Sequence, residues 1–404
     1  MAGAAHHRSL LRERDPHQHH RVTFVELFFD LVFVFAITQI SHTLLAHFTA
    51  LGVLQTAILM FAVWWVWVFT SWITNWLDPE QTPVRVMLFG LMIAGLLLST
   101  SIPKAFESRG LAFAIAFVAM QVGRSLFFLA VVPRSETGHR NNFRRISVWL
   151  SVSGIFWIAG GLADPEWRIG LWLVALAIEY SGPAMRFRTP GLGASTIQEW
   201  AVEGGHMAER CALFIIIALG ESIVVTGATF AELSWSAETV GGFATAFLGC
   251  IAMWWIYFHK GVEAGSELIS RSSEPGRLAR LAYTYLHMPI VAGIVLSAVA
   301  DELVLKHPDA PADLRAMLSI IGGPLLFLVG TILFKLSVRG WLQPSHVAGI
   351  VALVACFWFA GSMSLLTLSF LTTAIVIVVA LWESISLRAG VRLKETPQSE
   401  PTSV

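Results

Sequence analysis

The sequence predicts an all-α polytopic membrane protein: about twelve transmembrane helices in two parallel six-helix repeats. Three observations carry that class. The chain is 55% hydrophobic and only 13% charged, whereas a soluble protein carries roughly 25% charged residues. Its apolar residues gather into runs of about 20, the length a helix needs to cross a hydrocarbon core. Lys and Arg concentrate in alternate segments between those runs, the bias expected of cytoplasmic loops. The formal net charge is zero, so composition gives no electrostatic case for a nucleic-acid partner.

Residues 1–21 read as a polar cytoplasmic tail rich in histidine (His6, His7, His17, His19 and His20). No helix fixes the spacing of those rings, so a metal site is not expected there. A cleavable signal peptide is not expected either, because the first apolar run is too long for an h-region. The first repeat, 22–185, holds runs at 22–46, 51–76, 85–102, 110–132, 145–163 and 168–185. A cytoplasmic linker, 186–206, follows, and within it STIQEWAVEGG (195–205) is expected to lie along the membrane interface with Trp200 as anchor. The second repeat, 207–388, holds runs at 207–230, 239–260, 278–302, 315–337, 344–362 and 364–387. Only Gly361, Ser362 and Ser364 separate the last two. Residues 389–404 form a second cytoplasmic tail. With the N-terminus inside, the inner segments carry twenty Lys and Arg, and the outer loops carry five: Lys104, Arg109, Arg168, Lys306 and Arg315. That asymmetry predicts both termini in the cytoplasm.

The repeat is read from matches in the same order along each half. Glu26 aligns with Glu209, Trp64-Trp65 with Trp254-Trp255, and IAGLLLS (93–99) with VAGIVLS (291–297). Further on, Val122-Gly123 aligns with Val329-Gly330, FWIAG (156–160) with FWFAG (357–361), and Glu179 with Glu383. Six helices is an even number, so both halves enter from the same side. Parallel repeats of this kind occur in secondary transporters.

Polar residues inside the runs are the candidate sites. Thr23-x-x-Glu26 fits a capping box, which gives Glu26 a structural role beside a functional one. Asp30 lies about 10 Å into the first helix and shares a face with Glu26. Facing lipid, its ionised form would cost on the order of 3 kcal/mol, so it is expected to face protein and meet a cation such as Arg210 or Arg124. Its role is either a structural salt bridge or a proton or cation site. In the seventh run, Glu209-Arg210 sits at the cytoplasmic end. Glu221 lies about 18 Å beyond Glu209, near the midplane, with Thr38 and Gln39 at the matching level of the other repeat. Gly220 beside it would admit a neighbour or ligand. A midplane acid at a repeat interface is where a transporter would hold a coupling ion, and Glu221 is the expected proton-sensitive centre. Arg124, Glu179 and Glu383 are expected in buried charge pairs, with Arg124 and Glu179 able to pair with each other. Lys335, Lys260 and Glu383 also lie near helix ends, where they can snorkel. His287 precedes Met288-Pro289, and proline there frees a backbone carbonyl; such a histidine is a satisfied bundle residue or a proton relay. Cys211, Cys250 and Cys356 read as small core residues rather than a disulfide framework.

RVTFVELFFDLVFVFAITQ (21–39) and HMAERCALFIIIALGESIVVTG (206–227) resemble the two motifs of the bacterial low temperature requirement protein A family. The resemblance runs over about 20–390. It implies a polytopic inner-membrane protein and carries Glu26, Asp30, His206, Glu209, Arg210, Gly220 and Glu221 as motif positions. It implies no substrate or reaction. The chain holds no Walker A loop, HExxH zinc site or GxSxG elbow, and no cofactor is expected. The expected function is secondary transport, with proton coupling, of a small solute or ion, in contact with membrane lipids. The alternatives are an intramembrane enzyme acting on lipid or envelope precursors, and a membrane scaffold or sensor.

Overall fold

A computed structural model describes residues 10–12, 21–196, 198–200, 202–259 and 275–395. The tail histidines and Lys260 lie outside these. Helices α1 (Phe24–Ala46), α2 (Ala50–Trp76), α3 (Thr82–Ser101), α4 (Gly110–Val131), α5 (Thr137–Leu162) and α6 (Pro165–Ala184) come first. They are followed by α7 (Gly204–Glu232), α8 (Ala237–Phe258) and a short α9 (Pro275–Ala279). A π-helical turn (Arg280–Tyr285) leads into α10 (His287–Lys306), α11 (Leu314–Arg339), α12 (Pro344–Ala360) and α13 (Leu365–Glu395).

Helix ends follow local chemistry. Thr49 caps α2 by accepting the N–H of Gly52 at 3.1 Å, and Asp313 caps α11 by accepting that of Ala316 at 2.8 Å, each satisfying an orphan donor of the first turn. Gly340 ends α11 in the left-handed region at φ 76°, a conformation that glycine adopts without a Cβ penalty. The fifth helix begins at Thr137, eight residues before the expected 145. Its polar first turns have a reason to be helical: Arg140 donates to the carbonyls of Leu129 and Val132, both at 2.8 Å, which closes the end of α4.

Among the described residues, ten helices are long and apolar enough to cross a membrane, so the protein is a multi-pass membrane protein. The other two expected spans fall short on that criterion. The sixth, α6, carries Glu166, Arg168 and Glu179, and the eleventh, α12, has 17 residues. The turn between α12 and α13 falls at Gly361–Ser364, where those small residues break the apolar run.

The chain divides into two compact units: residues 1–221 with 265–291, and residues 222–264 with 292–404. The division cuts through α7 and α10 and does not coincide with the linker. In the first unit α2 is buried around almost its whole circumference from Ile58 to Leu77, as a central helix should be. In the second unit α10 and α11 pack closely. A Cβ on Gly293 would lie 2.5 Å from the backbone nitrogen of Phe327, and one on Gly323 would lie 2.4 Å from the Ser297 hydroxyl. Small residues thus let the two backbones approach, the usual device of helix pairs in lipid. The aligned tryptophans differ in setting: Trp64 and Trp65 are buried, while Trp254 and Trp255 are exposed. All three cysteines are buried.

Candidate functional site

Helices α1, α2 and α7 each place polar residues four apart: Glu26 and Asp30, Trp67, Ser71 and Asn75, and His206 and Arg210. Four-residue spacing sets side chains one above another on a single helix face. The three faces meet and build a two-layer ladder inside the first unit. Glu26 and Asp30 are fully buried, as are His206 and Arg210.

The outer layer is centred on Glu26. Thr23 is the N-cap of α1 and forms a capping box with Glu26. The Glu26 carboxylate accepts from the backbone N–H and the hydroxyl of Thr23, both at 2.9 Å. Its role does not stop there. Arg12 lies 3.2 Å from one carboxylate oxygen and His206 Nε2 lies 2.9 Å from the other. His206 Nδ1 is 3.3 Å from the side-chain amide of Asn75. Nε2 also lies 3.2 Å from Arg12 Nη2, but the Asn75 N–H at Nδ1 makes that nitrogen the acceptor, so the proton of the uncharged ring is assigned to Nε2, facing the nearer Glu26 carboxylate. Asn75 also closes two bonds with the Glu203 backbone, both at 2.9 Å, fixing the start of α7.

The inner layer is centred on Asp30. Its Oδ1 accepts from Arg210 at 2.8 Å and from the Trp67 indole at 2.8 Å. Arg210 also donates to Ser71 at 3.1 Å, and its guanidinium stands 5.7 Å from the Trp67 ring centroid. Among the described residues, Asp30 Oδ2 and Arg210 Nη1 are buried and meet no protein hydrogen-bond partner. Buried polar atoms without partners are uncommon, and each calls for an explanation. With His206 uncharged, two carboxylates and two guanidiniums cancel, so one added proton would leave the ladder with a net positive charge.

The remaining sequence candidates fall elsewhere. Glu209 is half-buried and accepts the Val22 N–H at 3.1 Å, tying the chain down where it enters α1. The pairs 26–206 and 30–210 make α1 and α7 run in the same direction. On that register Glu221 lies about 16 Å beyond Arg210, near the level of Ser41 rather than of Thr38. Phe214, one turn past Arg210, packs on Trp67 at 4.2 Å and on Trp64 at 5.7 Å. An aromatic layer therefore lies between the ladder and Glu221. Glu221 is buried. Gly220 does not provide a close approach, because a Cβ there would meet nothing within 4 Å. The Thr38 hydroxyl is turned back on the Val34 carbonyl at 3.1 Å, and Gln39 is half-buried. His287 is buried at the exit of the π-turn, with Nδ1 donating to the Ala282 carbonyl at 2.7 Å.

Arg124 and Glu179 are joined indirectly. Gln121 donates to Glu179 at 2.8 Å and accepts from Arg124, so an amide stands between the two charges. Arg124 further donates to Thr70 at 2.7 Å, and Ser153 and Trp157 donate to Glu179 at 2.5 and 3.0 Å. Glu383 stands in a buried charge pair, as expected, and its partner is Lys335, which does not snorkel. In the second unit Lys335 Nζ lies 2.7 and 2.8 Å from the two Glu383 oxygens, and both residues are buried. A carboxylate within reach in the helix packing removes the reason for the amine to seek the interface.

Sequence reasoning missed Arg12, Trp67, Ser71 and Asn75. Arg12 was placed in an unstructured tail, but Leu10–Arg12 pairs with the chain after α2: the Arg12 N–H donates to the Trp76 carbonyl at 2.9 Å, and that of Asp78 to Leu10 at 2.9 Å. Ser71 and Asn75 had a usable signal, since they are polar residues four apart within an aromatic span.

A family model, bacterial low temperature requirement A protein, matches residues 21–381. An uncharacterized protein, RA0937, of Rhizobium meliloti (strain 1021) is 42% identical over 387 residues, covering 95% of this chain and 94% of its own. No solved structure matches. The match spans both polar motifs and nearly every helix, and the chain belongs to the bacterial low temperature requirement A family.

Proposed function

We propose that the protein is a proton-coupled secondary transporter of a small solute or ion in the bacterial inner membrane. In this reading it has twelve spans, two parallel repeats and both termini in the cytoplasm. The observation that carries the proposal is the incomplete inner layer of the ladder. Among the described residues, Asp30 Oδ2 and Arg210 Nη1 meet no protein hydrogen-bond partner beside a formed ion pair. Ionisable groups held inside a membrane bundle are costly, and they mark ion paths and proton relays. A pair with one unused acceptor and one unused donor can accept a proton, a water or a substrate group without first breaking its salt bridge. The aromatic layer of Trp64, Trp67 and Phe214 supplies a barrier between the ladder and the deeper Glu221, Thr38 and Gln39. Transport requires that layer to open on one side at a time.

A second reading, a membrane scaffold or sensor, is favoured by the closure of the other charges. Arg12 with Glu26 and Lys335 with Glu383 satisfy one another within their own units. Uptake separates the two. Purified protein is reconstituted into vesicles with an inward proton gradient and presented with a labelled panel of amino acids, sugars, polyamines and inorganic ions. The expected result is accumulation of at least one solute above protein-free vesicles, abolished by a protonophore and by Glu221→Gln. Folded, correctly inserted protein that accumulates nothing would leave the scaffold reading standing.

A further inference from the structure

The linker between α6 and α7 builds a feature that the ladder does not use. Residues 186–200 and the start of α9 with its π-turn enclose a cleft of about 220 Å³ lined by Arg186, Ser195, Thr196, Trp200, Gly276, Arg277 and Arg280. Among the described residues, no carboxylate lines it. The nearest acid of the linker, Glu199, is committed to Arg145 at 2.8 Å and to the Thr196 N–H at 2.8 Å. Arg186 and Arg280 make no ion pair among the described residues.

The walls are held by the fold. Arg186 and Phe187 both have positive φ, 53° and 47°, a costly conformation for residues with side chains. It is held in place because Phe187 is buried and stacks on Trp200 at 5.9 Å. The Ser195 N–H closes the loop on the Arg186 carbonyl at 2.8 Å. The strained pair therefore turns Phe187 into the protein and leaves Arg186 exposed at the cleft. Trp200 does not serve as an interfacial anchor: it is buried against Trp72 and Trp76. Among the described residues of 195–205, Gln198–Trp200 make a 3₁₀ turn and the next helix begins at Gly204. On the far side a Cβ on Gly276 would lie 2.5 Å from the Trp200 carbonyl, so the two walls touch there. Arg280 stands 5.6 Å from the Trp200 ring centroid.

Among the described residues, the lining carries three guanidiniums and no carboxylate. We propose that this cleft binds a phosphoryl anion. Arg186 and Arg280, which make no ion pair among the described residues, supply the charge. Guanidiniums match phosphate oxygens in pairs, and basic pockets at the ends of membrane helices take anionic lipid headgroups. The same chemistry admits free phosphate. The proposal is independent of transport.

The test uses the full chain in zwitterionic detergent, titrated with short-chain phosphatidylglycerol, with phosphatidylcholine, or with inorganic phosphate, and read by thermal shift and native mass spectrometry. Saturable binding of phosphatidylglycerol but not of phosphatidylcholine, weakened about ten-fold in Arg280→Gln, is expected if the source is lipid. Saturable binding of inorganic phosphate with the same loss would assign the site to a free anion. Arg186→Gln removes an exposed charge without disturbing the packed wall, so it serves if Arg280→Gln does not fold. Arg85→Gln, at an exposed pair with Glu80, is the control. No saturable binding in either arm, or an equal loss in Arg85→Gln, would overturn the proposal.

Discussion

Arg210→Met is expected to destabilise the protein by about 3–5 kcal/mol, because removing one member of a buried pair leaves an uncompensated charge. The loss falls on three helices at once. Arg210 on α7 bonds Asp30 on α1 and Ser71 on α2, and it covers the Trp67 ring. Without it, Asp30 keeps only the Trp67 N–H. Asp30→Leu should cost a similar amount by stranding the guanidinium. The double variant, Asp30→Leu with Arg210→Met, should recover most of the loss, since well-packed apolar pairs often replace buried ion pairs without penalty. The three variants and the wild type form a cycle read by denaturation in detergent. A double variant as unstable as the sum of the singles would show that the two side chains do not act as a pair.

The second large effect lies in the other compact unit. Lys335→Met is also expected to cost about 3–5 kcal/mol, by leaving Glu383 buried without its cation. The Lys335 amine joins four helices: it bonds Glu383 on α13, donates to the Ile256 carbonyl of α8 at 3.0 Å, and lies 3.4 Å from His346 Nε2 on α12. Glu383→Gln keeps an acceptor for the amine and should cost less. The readout is the melting temperature of purified protein. An unchanged melting temperature in Lys335→Met would mean that the amine is not what ties α11 to its neighbours.

The helices were legible from the sequence because a membrane span is written in composition: about 20 apolar residues leave little ambiguity. Boundaries failed where polar residues extend a helix beyond the apolar run, as at Thr137. The expectation of Asp30 facing a cation followed from the cost of a carboxylate in lipid, and Arg210 was within the second polar motif. Arg12 was not legible. Its place depends on an isolated β-bridge between Leu11 and Leu77, which no periodicity announces. The Arg124–Glu179 contact was read as a direct pair because charge alone was considered, and Gln121, which stands between them, carries no charge to notice. Glu383 was legible as a member of a buried charge pair, but its partner Lys335 was read only from its position near a helix end. Whether such a side chain turns to the interface or to a partner is decided by helix packing, which their own segments do not encode. Gly220 was read as a close approach, yet a small residue permits a neighbour without supplying one.

Proton movement through the ladder tests the central claim most directly. Wild-type protein, Glu26→Gln and Asp30→Asn are reconstituted in equal, gel-filtration-verified amounts into vesicles holding a trapped pH dye, and each transported solute is added outside. The account predicts solute-dependent acidification of the lumen by the wild type and at least a ten-fold loss in both variants while they remain folded. Folded variants that acidify the lumen at the wild-type rate would contradict it.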